Sequence, residues 1–281
     1  MIRACIFDLG GTIVDKYSLT PFLSLKGAFA LKNINVFQDL LQKDMGLKKI
    51  DHIDKILKDK KIIHQWEYRY GKVPDENDKY EIYDNFHTCQ LLNQSKDMEV
   101  IPQTYKCLQK LKNNNIKIGI TTGFSKPIMN DVIRLFDLEK YIDSNVSSTC
   151  FDDPGRPHPF MIYKNMEYLN IDDPKHIIKI DDTCVGIQEG KNAGCWTVGV
   201  ARWSVNMEVT SIDELNNMNQ LTYNEDNRYG NYRILRDKID KSKDILRSEN
   251  PDFVIQTLEG LPDVIKMINN KMKNNESFKK I

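Results

Sequence analysis

Ala4-Cys5-Ile6-Phe7-Asp8-Leu9-Gly10-Gly11-Thr12 runs from a short apolar stretch straight into an acid, two glycines and a threonine. Four apolar residues bounded by turn formers predict a buried strand. The same design recurs along the chain. Lys117-Ile118-Gly119-Ile120-Thr121 ends at Thr122-Gly123, and Ile177-Ile178-Lys179-Ile180 ends at Asp181-Asp182-Thr183. Trp196-Thr197-Val198-Gly199-Val200 follows Asn192-Ala193-Gly194, and Asp252-Phe253-Val254-Ile255 predicts a last strand. Helical patterns lie between these segments, including 104–112 and a closing helix over 262–273. Strands alternating with helices predict an α/β fold: a Rossmann-like parallel sheet core with helices on both faces. Polar residues repeatedly follow the carboxyl ends of the strands, the edge where open α/β sheets bind ligands.

One segment breaks the alternation. Residues 19–95 show helical periodicity, for example Ile50, Ile53, Ile56 and Leu57, then Ile62, Ile63 and Trp66. They contain no convincing strand. This predicts an inserted α-helical cap domain over 19–97, carried by a core made of 1–18 and 98–281. Pro102 is expected to start the next helix. The stretch 202–249 is polar and helical and suggests no function.

Composition bounds the partners. The 281 residues hold 40 Lys+Arg and 40 Asp+Glu, a formal net charge of zero. Nucleic-acid binders usually carry a basic excess, so no nucleic-acid partner is expected. No apolar stretch is long enough for a bilayer, so no membrane partner is expected either. The six cysteines show no C-x-x-C spacing, which argues against structural zinc and for buried free thiols. With no signal or transit pattern at Met1, the expected compartment is the cytoplasm.

The strand ends carry the chemistry. Asp8, beside a glycine loop, can be a nucleophile toward phosphorus or a metal ligand. Asp182 adds a second carboxylate at the same edge, and such a pair suits Mg²⁺. Thr122-Gly123 offers a hydroxyl and amides to a phosphoryl oxygen, and Arg156 offers a cation. Taken alone, each residue has an ordinary reading: Asp8 as a turn residue, Lys49 as a solvated helix lysine, Arg156 as a loop residue.

Together they resemble the haloacid dehalogenase superfamily of aspartyl-phosphate hydrolases. The motifs are Phe7-Asp8-Leu9-Gly10-Gly11-Thr12, Thr121-Thr122-Gly123, the cation Arg156, and Asp182-Thr183 with Glu189-Gly190. Within the superfamily, three further blocks resemble the phosphonoacetaldehyde hydrolase (phosphonatase) family. They are Met45-Gly46-Leu47-Lys48-Lys49-Ile50-Asp51-His52, Gly155-Arg156-Pro157-His158-Pro159-Phe160-Met161, and the run from Glu189-Gly190-Lys191-Asn192-Ala193-Gly194 into Cys195-Trp196.

The resemblance implies a set of roles. Asp8 would attack phosphorus. Mg²⁺ would sit between Asp8, the Gly10 backbone carbonyl and Asp182. Lys49, from the cap, would form a Schiff base with the substrate aldehyde. His52, three residues on and on the same helix face, could move protons. Thr122, Gly123, Arg156 and Met45 would contact the phosphonate substrate, and the family suggests a homodimer. Superfamily phosphatases carry an acid two residues after the nucleophile to protonate an alkoxide. Gly10 stands there, which suits an enamine leaving group. Two positions depart from the family: Phe124, where Tyr is usual, and Ser18, where Cys is frequent. Gly186 occupies a position where many superfamily members place another carboxylate. The alternatives are a Mg²⁺-dependent phosphatase of small monoesters and a non-catalytic relative.

Overall fold

The computed structural model describes residues 1–150, 154–223 and 231–274. Six strands form one parallel sheet: β1 (Ala4–Phe7), β2 (Lys117–Thr122), β3 (Ser144–Ser147), β4 (Ile177–Asp181), β5 (Trp196–Val200) and β6 (Phe253–Ile255). Their order is β3-β2-β1-β4-β5-β6. The order reverses direction between β1 and β4, so a crevice opens at the carboxyl ends of those two strands.

Alternation along β1 sorts the two faces. Ala4 and Ile6 pack with Ile162, Met166 and Leu169 of α8 (Phe160–Leu169) and with Ala193 of α9 (Cys184–Ala193). Cys5 and Phe7 face the larger cluster. That cluster takes in α6 (Thr104–Asn113), α7 (Lys126–Leu135) and α12 (Leu261–Lys273). The helices therefore cover both faces, as the sequence pattern predicts.

Register sets the site. Phe7 is level with Ile120 on one side and Ile180 on the other. One residue further, Asp8, Thr121 and Asp181 come level at the strand ends, and the Asp8 amide donates to the Ile180 carbonyl (2.9 Å).

Between β1 and α6 lie five helices: α1 (Leu19–Ala30), α2 (Gln38–Lys43), α3 (Lys49–Leu57), α4 (Lys60–Tyr70) and α5 (Glu76–Asp97). The pair α1 and α5 forms the spine of the insert, and Phe29, Trp66, Ile82 and Phe86 are buried with it. Asp75 and Asp78 cap α5 reciprocally, each carboxylate accepting the other's amide (3.1 and 2.9 Å). The two connections to the core run side by side. The Asp15 amide donates to the Glu99 carbonyl (2.8 Å), and the Ile101 amide donates to the Ile13 carbonyl (3.0 Å).

The structure corrects three expectations. Strand β3 escaped the reading because Ser144-Asn145-Val146-Ser147 has no apolar run. Its serines are satisfied internally instead: Ser144 Oγ donates to Asn165 Oδ1 (2.5 Å) and Ser147 Oγ donates to the Phe124 carbonyl (2.6 Å). Pro102 does not start a helix. The chain there still pairs with the outgoing connection, and α6 begins at Thr104, whose hydroxyl donates to the Ile13 carbonyl (2.9 Å). The six thiols are free, but only Cys5, Cys107 and Cys195 are buried.

Residues 202–249 contain α10 (Ile212–Tyr223) and α11 (Asn231–Arg247). Helix α11 docks on the sheet edge, where Ser242 Oγ donates to the Ala201 carbonyl (2.9 Å) and Lys238 Nζ to the Met207 carbonyl (2.9 Å). Those bonds hold the loop 201–207 against the strand ends. Among the described residues, no helix is long and apolar enough to cross a membrane.

Trp66 is fully buried and leans on Tyr70. Trp66→Ala is expected to cost about 3–5 kcal/mol, by lost burial and the cavity left behind, read as a lowered urea midpoint.

Candidate active site

The turn after β1 wraps tightly: the Ile13 and Val14 amides both donate to the Leu9 carbonyl (3.0 Å each). Gly11 sits at φ +71°, and a Cβ there would collide with the Asp182 carboxylate. Glycine is needed twice over, for the backbone conformation and for the close approach of β4's acid.

Asp8 is buried and faces Arg156 Nη1 at 2.8 Å. Arg156 is also buried and is engaged on every side. Its Nε meets Glu189 Oε2 (2.9 Å), its Nη1 lies 3.5 Å from Asp181 Oδ2, and its Nη2 donates to the Thr121 carbonyl (2.9 Å) and hydroxyl (2.8 Å). Lys179, fully buried in β4, meets Asp181 Oδ2 (2.9 Å), Glu189 Oε2 (3.3 Å) and the Thr121 hydroxyl (2.5 Å). Burying charged groups is costly, and mutual pairing of this kind offsets the cost. Burial pushes Asp8 up to about 6 despite Arg156. Burial works the same way on Asp181, but Lys179 and Arg156 outweigh it and hold that carboxyl below its usual range. Burial opposes the charge on Arg156, yet Asp181, Glu189 and Asp8 keep it firmly protonated.

Asp182 is different. Among the described residues, its carboxylate oxygens accept from the Thr12 hydroxyl (3.3 Å) and the Val205 amide (3.0 Å). Burial, then Asp181 and Asp8, push its pKa well above the carboxylate range. A buried carboxylate beside two others, with no side-chain cation on it among the described residues, is a donor set that fits a hard divalent ion. One oxygen from each of Asp8, Asp181 and Asp182 lies within 4.8 Å of the others. The loop 201–207 thus has a structural part in the site, since its Ser204 hydroxyl and Val205 amide hold Asp182 in place.

The insert brings the amine. Lys48 is the N-cap of α3 and Lys49 its first residue. Lys49 is buried, with Nζ 3.5 Å from Met45 Sδ. Burial lowers its pKa to about 8; Asp8 pulls it back up and Arg156 pushes it down. The positive end of α3 acts in the lowering sense too. His52 is fully buried. Its Nε2 lies 3.3 Å from the Leu40 carbonyl and its Nδ1 has no hydrogen-bond partner. Burial, then Lys49, lower its pKa to about 3, so it is a neutral imidazole at neutral pH.

The insert seats on the core through glycines. A Cβ on Gly123 would lie 2.6 Å from the Leu47 carbonyl, and one on Gly155 would lie 3.0 Å from Lys48 Cβ. Gly46, at φ +98°, packs on Thr183 and Val185. A cavity of about 430 Å³ follows this seam, lined by Met45, Leu47, Thr183, Val205 and Asn206 among others. Thr122 Oγ1 accepts from the Phe124 amide (3.2 Å) and so shapes the turn before Gly123. Phe124 is buried. Ser18 Oγ stands 3.3 Å, and Asp15 Oδ2 3.9 Å, from where a Gly10 Cβ would be.

Asp8, Arg156, Asp182, Thr122, Gly123, Met45, Lys49 and His52 thus gather where the insert meets the strand ends, with Gly10 in the adjoining turn. Sequence reasoning missed Lys179 and assigned no site role to Asp181 or Asp15. The signal for Lys179 was a lysine inside an otherwise apolar strand. Burial pushes Asp15 up to about 7 although Thr20 donates to both its oxygens.

A Haloacid dehalogenase-like hydrolase family model matches residues 5–200. The chain belongs to the haloacid dehalogenase-like hydrolases and, among them, to the phosphonoacetaldehyde hydrolase family. A phosphonoacetaldehyde hydrolase of Bacillus mycoides is 31% identical over 95% of this chain and 96% of its own length. A bifunctional phosphonoacetaldehyde hydrolase/aminoethylphosphonate transaminase of Clostridioides difficile is 30% identical over 96% of this chain but 40% of its own length. A phosphonoacetaldehyde hydrolase-like protein of Oleispira antarctica superposes with a TM-score of 0.86 at 26% identity, covering 100% of this chain and 96% of that one.

The Gly123 contact is with backbone and cannot yield cheaply. Gly123→Ala is therefore expected to unseat the 45–48 loop. Amide exchange there should quicken at least about tenfold, and the Lys49 pKa should move from about 8 toward 10.5. Hydrogen exchange and pH-dependent amine labelling measure the two.

Proposed function

We propose that the protein hydrolyses the carbon–phosphorus bond of phosphonoacetaldehyde to acetaldehyde and phosphate. The observation that carries this reading is a buried, low-pKa lysine delivered by the insert into electrostatic contact with Asp8 and Arg156. The relatives' names support the substrate.

The chemistry explains why a lysine is needed. Breaking a carbon–phosphorus bond would leave a carbanion on carbon. Lys49, as free amine, condenses with the aldehyde and releases water. The protonated imine then accepts the bonding pair as an enamine while an Asp8 oxygen bonds to phosphorus. Water hydrolyses the aspartyl phosphate and returns Asp8 and phosphate. The enamine takes a proton at carbon, and a second water releases acetaldehyde and Lys49. One water is consumed overall. His52, neutral and with a bare Nδ1, is suited to accept a proton during imine formation. Arg156 holds the phosphoryl group beside Asp8, and Thr122 and Gly123 shape the turn that receives its oxygens. Met45 packs the amine. Asp8, the Gly10 carbonyl and Asp182 would hold Mg²⁺, which when bound would supply positive charge against the phosphoryl oxygens.

A monoester phosphatase would need a proton donor for an alkoxide. Gly10 offers none, and the neighbouring Asp15 has both oxygens committed to Thr20.

Phosphate release from phosphonoacetaldehyde, run beside Lys49→Ala, tests the reading. Wild type should release phosphate and the variant should lose at least about a thousandfold. Full cleavage by Lys49→Ala, or turnover of monoesters alone, would falsify it. Borohydride added with substrate should trap an adduct on Lys49, with the trapping rate rising from pH 7 to 9 as the amine is freed near pH 8. The same shift carries a stability cost. A lysine whose folded pKa lies below its unfolded value penalises the fold at every pH below about 8, and the penalty fades toward 10.5. Lys49→Met is therefore expected to stabilise the fold at pH 7, by on the order of 2 kcal/mol, and to add little above pH 10. Urea titrations at the two pH values measure it.

A further inference from the structure

Two linkers join the insert to the core, and the outgoing one is strained. Asp15, Tyr17 and Ser18 take left-handed backbone angles (φ +57°, +66° and +50°), and none of them is glycine. L-residues persist in that region only where their surroundings hold them there. The turn leads directly into α1, whose Thr20 donates from amide and hydroxyl to the Asp15 carboxylate.

The core loop 201–207 supplies the restraint. The Tyr17 amide donates to the Trp203 carbonyl (2.7 Å). The Tyr17 hydroxyl accepts from Arg202 Nη1 (2.6 Å), and the Tyr17 ring lies 5.7 Å from the Trp203 ring. The Arg202 guanidinium sits 3.9 Å from the Trp203 ring centroid. Lys16 Nζ lies 5.1 Å from the same ring and pairs with Glu99 of the return linker (2.6 Å). Tyr17, Arg202 and Trp203 are all buried, so water does not compete with these contacts.

The same loop reaches the seat of the insert. Val205 and Asn206 line the seam cavity together with Met45 and Leu47, the residues that precede Lys49. The linker reaches the amine as well, since Asp15 acts on Lys49 electrostatically. One core loop therefore grips the attachment of the insert on one side and borders the docking place of its 45–48 loop on the other.

We propose that Tyr17, Arg202 and Trp203 are positioning residues, which clasp the outgoing linker in its left-handed turn and so hold the insert seated with Lys49 at the strand ends. They act through the linker and touch no substrate. This rests on the proposed function only in taking Lys49 as the reactive amine.

Two measurements on the full chain without substrate test it: hydrogen exchange of the 45–48 amides, and the pH at which an amine reagent half-labels Lys49. Arg202→Met keeps an apolar stem and removes the charge and the donor. It should quicken exchange at 45–48 at least about tenfold and move half-labelling by at least about one pH unit, from about 8 toward 10.5. Tyr17→Phe removes only the hydroxyl and should quicken exchange about threefold, and the double variant should match Arg202→Met within about twofold, because the two groups act through one bond. Trp66→Ala loosens the insert away from the clasp and should leave half-labelling in place; an equal shift there would mean general loosening and overturn the proposal. Wild-type exchange and labelling in both folded variants would overturn it too, with the proposed function left standing. A half-labelling pH near 10.5 in the wild type would overturn both. Should Arg202→Met fail to fold, Tyr17→Phe decides.

Discussion

Arg156 holds the site together. A guanidinium with almost no exposure to water is tolerable only where carboxylates surround it, and Asp8, Asp181 and Glu189 do so from three directions. The reverse also holds: those carboxylates could not share one interior without Arg156 and Lys179. Three segments are thereby tied to one point, the end of β1, the end of β4 and the body of α9. Thr121, from β2, closes the network through its hydroxyl and carbonyl. Asp182 stands just outside this pairing. Burial and the neighbouring Asp181 and Asp8 raise its pKa, which is consistent with a place for a hard cation.

The insert contributes through contact geometry more than through charge. Its 45–48 loop reaches the core because Gly123 and Gly155 leave room, and Gly46 turns the chain into that room. Once seated, Lys49 is out of water, and desolvation makes it a better amine. The same burial makes His52 a neutral one. Delivery of the lysine and its desolvation are therefore one event, set by how the helical insert seats on the strand ends.

Much of the fold was legible because parallel strands buried on both faces read as short apolar runs, and β1, β2, β4, β5 and β6 are such runs. β3 was not, since its serines are satisfied by partners distant in sequence, Asn165 and Phe124. The site followed the same division. Asp8, Arg156 and Asp182 stood in recognisable motifs, and Lys49 and His52 shared a helical spacing. Asp181 received no site role because its partner Arg156 is brought to it only by the fold. Lys179 had its signal in plain view, but its partners Glu189 and Thr121 are brought to it by the sheet and by α9.

The sequence by itself determined the α/β class, the inserted helices, the family and the candidate acid and amine, because these depend on local periodicity and on motifs that are short and contiguous. Only the tertiary structure decided which charges neutralise one another, that Asp182 has no side-chain cation among the described residues, and that Lys49 is shifted to about 8. Desolvation and Coulomb energies depend on distance and burial, and both are set when the strand ends and the insert come together.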